Sequence, residues 1–97
     1  MIISFGNQLA HDLFDDKKSK FTRSFSPELL RIARRKILYL HDADKLVDLR
    51  LPPGNRLEAL KGDFQDFYSI RINDQWRVVF KWSDGGASEV KILDYHK

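Results

Sequence analysis

Residues 68–82 alternate apolar and polar side chains on both sides of a short polar turn. Because successive side chains of a strand point to opposite faces of a sheet, this pattern predicts two strands of a hairpin. With a three-residue loop over 73–75, Arg71 lies opposite Arg77 in the neighbouring strand. One face of the hairpin is then apolar along its whole length and consists of Tyr68, Ile70, Ile72, Trp76, Val78, Phe80 and Trp82.

The opposite face of the hairpin carries the cations Arg71, Arg77 and Lys81. Like charges placed opposite each other on a sheet repel, and the sequence suggests no carboxylate in register with them. Such a face is expected to attract an anion, for example the phosphate backbone of a nucleic acid.

The size of the chain, 97 residues, predicts a single domain over residues 1–97. There is no cysteine, which excludes disulfides, thiolate nucleophiles and Cys-ligated zinc and is typical of a reducing, cytoplasmic setting. No apolar run reaches the roughly 18 residues of a membrane-spanning helix, and we expect no association with a membrane. The net charge of +3 is too small to indicate a nucleic-acid partner without the placement of the charges.

The first half of the chain predicts one short strand and two helices. A strand over 2–5 is followed by a helix from about Asn7 to Phe14. Ser26-Pro27-Glu28 is a strong helix start, and the second helix should run to about His41. Its apolar stripe leaves four basic residues mostly outside the core on a solvated face: Arg31, Arg34, Arg35 and Lys36.

The second half of the chain predicts strands. A turn at 52–55 precedes a short strand over 56–60, and after the hairpin a turn at 83–86 leads to a last strand over 88–95. Helices followed by a strand meander predict the α+β class, a small twisted, mostly antiparallel sheet with two N-terminal helices packed on one face. His11 and His41 have no metal-ligand spacing, and we expect neither a metal nor another cofactor.

Three separated segments resemble one family: RLEALKGD from residue 56, YSIRINDQWRVVF from residue 68, and the ending ILDYHK. Together with the turn PPGN at 52–55, they resemble the RelE/ParE toxin superfamily and specifically its HigB-like branch. The segments occur in the family's order and the resemblance covers most of the chain.

The resemblance implies the toxin of a type II toxin–antitoxin pair, with the RelE-like fold. Toxins of this branch are ribosome-dependent endoribonucleases that cut mRNA in the decoding site and arrest growth. The implied partners are the ribosome with its mRNA and a HigA-like antitoxin with a helix-turn-helix domain. Operator DNA is reached only through that antitoxin.

The resemblance also implies the catalytic residues of a metal-independent cleavage. Arg77 and Lys61 match the family's functional cations, and Tyr95 and His96 match its C-terminal pair. The position of Glu58 holds a histidine in some HigB-like toxins, so the acid–base assignment differs here. Glu58 is either a general base in place of that histidine or a packing partner of Arg77, and Tyr95 is either functional or a core residue.

The cleavage chemistry is compatible with these residue types. The ribose 2′-OH attacks the adjacent phosphorus, which requires a proton acceptor, a cation for the phosphorane and a proton donor for the leaving 5′-oxygen. Further RNA contacts are expected at Arg56 and Arg71, and also at Lys81 unless it is only a solvated charge. The basic face of the second helix is expected to be solvated, with contact to ribosomal RNA as the alternative.

Two other functions fit parts of the sequence. The ParE branch shares the fold but inhibits DNA gyrase by binding, whereas the LKG, QWR and DYH segments favour the nuclease branch. A plain RNA-binding domain would need only the basic sheet face.

Overall fold

In the computed structural model, which describes residues 1–95, a four-stranded antiparallel sheet packs against two helices. The order along the chain begins with α1 (Gln8–Phe14) and α2 (Pro27–Asp42). The strands follow as β1 (Glu58–Ala59), β2 (Tyr68–Arg71), β3 (Trp76–Ser83) and β4 (Gly86–Asp94), and they lie in the sheet in that order. The predicted α+β class is confirmed, with both helices on the same side of the sheet.

Both helices begin where the sequence places a capping side chain. Asn7 accepts a hydrogen bond from the backbone N–H of Ala10, and Ser26 accepts one from that of Leu29. Pro27 occupies the first position of α2, where its missing N–H costs nothing. The segment between the helices forms turns.

The core lies between the helices and one face of the sheet. Its most completely buried large side chains include Ile37 and Leu40 from α2 and Ile70, Val78 and Phe80 from the hairpin. Trp76 and Trp82 are partly buried and pack against this core. The apolar face predicted for residues 68–82 is therefore the face that the helices cover.

The predicted register of the hairpin is correct. Arg71 pairs with Arg77, and the backbone N–H of Ile72 donates to the carbonyl of Trp76 at 3.0 Å. The side chain of Asn73 closes the turn by accepting from the N–H groups of Gln75 and Trp76.

The strands expected over residues 56–60 and over residues 2–5 both differ from the prediction. The strand expected over 56–60 is limited to Glu58–Ala59, because Arg56 ends the preceding turn in the left-handed conformation (φ 47°). The segment expected as a first strand, residues 2–5, makes only two isolated parallel bridges to β4, at Ile2 and Phe5. These bridges place the N-terminal segment along the outer edge of β4.

The expectation that Lys36 lies outside the core is wrong. Lys36 is 8% exposed and its Nζ donates to Asn55 Oδ1 at 2.6 Å. The amide of Asn55, itself fully buried, donates to the carbonyls of Leu49 and Leu51. Burial lowers the pKa of Lys36, with smaller contributions from Arg35 and Arg71. This polar network attaches the 49–55 loop to α2 and so fixes the approach to β1.

None of the helices within residues 1–95 is long and apolar enough to cross a membrane.

Candidate active site

The face of the sheet away from the helices carries a second, smaller apolar cluster. Leu60, Phe67 and Val79 are buried there, and Phe64 and Tyr95 pack against them. A turn of 3₁₀ helix at Gly62–Phe64 lies between β1 and β2 and carries Phe64 onto this cluster. The side of the sheet away from the helices, called the open face below, is thus apolar near residues 60–67. The polar side chains of the candidate site lie next to this apolar part.

A hollow of about 400 Å³ lies at the edge of this cluster. Its lining includes Glu58 at the start of β1, Lys61 shortly after that strand, and Tyr95, which directly follows β4. The ring of Tyr95 meets the ring of Phe64 edge-on at 5.8 Å between centroids, which fixes one wall of the hollow. Tyr95 therefore packs in an apolar cluster and also lines the hollow, and its functional role stays a prediction.

Arg77 is joined to this hollow through Glu58. Its Nη2 lies 3.2 Å from Glu58 Oε1, and its Nη1 donates to Ser69 Oγ at 2.7 Å and to the carbonyl of Arg56 at 3.5 Å. The Arg77 side chain is only 12% exposed. Several partners and partial burial give the guanidinium a defined orientation, unlike that of an ordinary surface arginine.

The expected absence of carboxylates from the cationic face is wrong. Besides the Arg77–Glu58 pair, Arg71 bonds to Asp74 at 2.6 Å and Lys81 lies 3.0 Å from Glu89. The hydrogen bond from Arg71, together with its charge, lowers the pKa of Asp74 and keeps this carboxylate ionised. The repulsion between Arg71 and Arg77 is therefore relieved by acidic residues from a turn and from another strand, which alternation within the hairpin does not reveal.

The three expected RNA-contact residues are not gathered in the hollow. The exposed Arg56 lies near Arg77 through its backbone carbonyl, and Arg71 is turned towards the hairpin loop. Lys81 follows Arg77 further along β3, beyond an irregularity in the ladder with β4. Its ammonium lies 5.1 Å from the ring centroid of Phe67. None of these three cations lines the hollow.

One expected catalytic residue, His96, lies outside the described residues. Its position in the chain directly follows Tyr95, so its role stays a prediction from the resemblance.

Two residues of this face were missed by the sequence analysis. Ser69 is a completely buried serine on β2, beneath the Arg77 guanidinium. Lys91 lies on β4 opposite Val79, with its ammonium 4.9 Å from the ring centroid of Phe67. The alternation in β2 and β4 contains the signal for both, because it places them on the same face as Arg77.

Comparison with known proteins agrees with this fold. Residues 3–96 match the family model described as the RelE-like toxin of type II toxin–antitoxin system HigB. Toxin HigB-1 of Vibrio cholerae is 36% identical over 97 residues, covering 100% of this chain and 99% of that protein. Endoribonuclease HigB of Proteus vulgaris is 37% identical over 41 residues, which are 42% of this chain and 45% of that protein.

Solved structures of toxins share the architecture at low sequence identity. The YoeB dimer from Staphylococcus aureus superposes with a TM-score of 0.63 at 20% identity, covering 100% of this chain and 98% of that one. YoeB in the YoeB–YefM complex from the same organism gives 0.62 at 15% identity, covering 100% and 99%.

The fold and the sequence matches define a small toxin of the RelE-like class. More narrowly, the chain belongs to the HigB family of toxins from type II toxin–antitoxin systems.

Proposed function

We propose that this toxin is a ribosome-dependent endoribonuclease that cleaves mRNA without a metal ion. The observation that carries the proposal is the oriented Arg77, held by Glu58 at the margin of a hollow that Lys61 and Tyr95 also line. A proton acceptor and two cations converge there, and these are the groups that cleavage by the 2′-OH requires. The name Endoribonuclease HigB, carried by the Proteus vulgaris relative, supports the same activity.

The reaction is a transfer of the phosphodiester within the RNA chain. Glu58 accepts the proton of the 2′-OH while the 2′-oxygen forms a bond to phosphorus. The bond from phosphorus to the 5′-oxygen then breaks, and that oxygen takes a proton from His96, the donor implied by the resemblance. The products are a 2′,3′-cyclic phosphate and a 5′-hydroxyl.

The Arg77–Glu58 pair couples the proton transfer to the charge on the phosphorane. In the resting site, the carboxylate neutralises much of the guanidinium charge at 3.2 Å. When Glu58 takes the proton, Arg77 loses its anionic partner and gains attraction for the phosphorane oxygens. Lys61 supplies a second positive charge at the hollow, and Tyr95 is positioned to orient the ribose or stack on a base.

The proposed partners follow from the activity and the family. The ribosome holds the mRNA in the in-line geometry that this small open hollow does not impose alone. A HigA-like antitoxin with a helix-turn-helix domain is the proposed inhibitor, and operator DNA is bound only through it. Action on translating ribosomes places the toxin in the cytoplasm.

The test is cleavage of an end-labelled mRNA with and without programmed ribosomes. We expect cleavage only with ribosomes, and a loss of roughly 100- to 1,000-fold for Arg77→Ala because an oriented donor to the transition state is removed. Arg71→Ala is the matched control and should lose less than about tenfold, since its guanidinium is bonded to the turn.

Equal losses in the Arg77 and Arg71 variants would contradict the assignment of the site. A folded protein that arrests growth but leaves mRNA intact would instead favour inhibition of gyrase by binding.

A further inference from the structure

Ser69 lies under the guanidinium of Arg77 at the centre of the polar part of the open face. In β2, Tyr68 and Ile70 point to the core, so Ser69 points to the face that carries Arg77. Ser69 is completely buried, and its hydroxyl accepts the shortest of the hydrogen bonds that Arg77 donates, at 2.7 Å. The register also places Ser69 opposite Glu58 of β1, so the two side-chain acceptors of the guanidinium are neighbours across adjacent strands.

Some of the N–H donors of the Arg77 guanidinium form hydrogen bonds within residues 1–95, and others do not. Nη1 donates to Ser69 Oγ and to the carbonyl of Arg56, while one hydrogen of Nη2 faces Glu58. Since a guanidinium has five N–H donors, Nε–H and one Nη2–H carry no hydrogen bond to another residue of the 1–95 segment. Two donors are the number that a bidentate contact with phosphate oxygens requires.

Ser69 differs from Glu58 in how it holds the guanidinium. It is uncharged and anchored in a paired strand, so it fixes Arg77 without reducing its positive charge. Glu58 becomes neutral when it takes the proton in the proposed reaction. Its ion pair with Arg77 must then weaken. An uncharged anchor keeps the guanidinium in place at that moment, when its charge is needed.

We propose that Ser69 is a positioning residue for RNA cleavage, which holds Arg77 so that Nε–H and Nη2–H face the scissile phosphate. The inference rests on the proposed nuclease function.

The direct test observes the Arg77 side chain by NMR in protein labelled with ¹⁵N-arginine. The Arg77 Nη–H signals are assigned by their loss in Arg77→Lys, and the exchange with water of Nη1–H, the donor to Ser69, is measured in the wild type and in the Ser69 variants. Ser69→Ala removes the acceptor, while Ser69→Cys keeps the volume but offers only a weak acceptor. Ser83→Ala, at the exposed end of β3, is the control.

We expect Nη1–H to exchange about tenfold faster in both Ser69 variants, the factor associated with losing a hydrogen bond to a charged group. Exchange at the wild-type rate in both Ser69 variants would overturn the inference, whatever their activity. Since Ser69→Cys preserves packing, it remains informative if the alanine variant fails to fold.

The kinetic test measures single-turnover cleavage on programmed ribosomes. We expect the Ser69 variants to cleave roughly 10- to 100-fold more slowly at saturation, with less than about a threefold change in the half-saturating concentration. In an Arg77→Ala background, Ser69→Ala should cause no further loss, because it acts through that arginine.

The outcomes separate the two proposals. If the wild type cuts mRNA and both Ser69 variants cut at the same rate, the role of Ser69 is wrong and the nuclease function stands. If the folded wild type cuts no mRNA on ribosomes, the nuclease function is wrong and the role of Ser69 falls with it.

Discussion

At the scale of residues, the open face is a set of ion pairs with one specially oriented member. Arg71 and Lys81 pair with Asp74 and Glu89 through side chains that are substantially exposed, where such pairs contribute little. Arg77 differs because it is largely buried and has three acceptors within 3.5 Å. We therefore propose that Arg77, rather than the cationic face as a whole, stabilises the negative charge of the transition state.

Glu58→Gln tests whether the carboxylate acts as a base or only as a partner of Arg77. The glutamine side-chain carbonyl can still accept a hydrogen bond from Arg77, but it cannot take the 2′-OH proton at neutral pH. We expect the single-turnover cleavage rate on ribosomes to fall by roughly 100- to 10,000-fold. A rate within about threefold of the wild type would assign Glu58 to packing alone.

At the scale of elements, the position of β1 depends on a loop that is anchored by polar groups. Asn55 joins Lys36 of α2 to the carbonyls of Leu49 and Leu51, and all of these bonds converge on one buried amide. The loop then delivers Glu58 to the edge of the sheet through the left-handed Arg56. This network therefore connects the open face of the sheet with α2, which packs on the opposite face.

Asn55→Ala should be strongly destabilising, because it leaves a buried ammonium and two carbonyls without their partner. We expect a loss of about 3 kcal/mol or more in the free energy of unfolding, measured by denaturant titration. Asn73→Ala is the matched control and should lose about 1 kcal/mol, since its side chain only closes an exposed turn. Equal losses in the two variants would contradict this view of the network.

The hairpin was predictable from the sequence, whereas the partners of its cations were not. Alternation and a short polar turn determine the face and register of residues 68–82, because a slip by one residue would expose the apolar set. Glu58 and Glu89 come from other strands, so their pairing with Arg77 and Lys81 depends on the tertiary fold. The burial of Lys36 could not be predicted from the sequence either, because its acceptor Asn55 lies in a distant loop.

At the scale of the whole molecule, the helices cover one side of the sheet and leave the other side for a ligand. The N-terminal segment lies along β4, and the 60–67 segment covers part of the open face. Lys61 lines the hollow, whereas Arg56 and Lys81 lie on the same face outside its lining. This arrangement suits an extended polyanion that contacts the protein at several separate phosphates.

Binding of RNA or ribosomes should therefore weaken as salt rises. We expect Lys81→Ala to reduce the slope of log affinity against log salt by about one, the change for one phosphate contact. Lys20→Ala, in the exposed turn between the helices, is the control and should leave the slope unchanged. Equal slopes for Lys81→Ala and the wild type would remove Lys81 from the RNA path.

The most direct test of the proposed chemistry is cleavage of an mRNA with a single 2′-deoxy nucleotide at the mapped cleavage position, on programmed ribosomes. Mass spectrometry of the fragment ends shows which bond was broken and by which nucleophile. We predict that the all-ribose mRNA gives a 2′,3′-cyclic phosphate and a 5′-hydroxyl, and that the 2′-deoxy mRNA is not cut there. Cleavage of the 2′-deoxy mRNA at an unchanged rate, or a 5′-phosphate on the downstream fragment, would contradict attack by the 2′-OH.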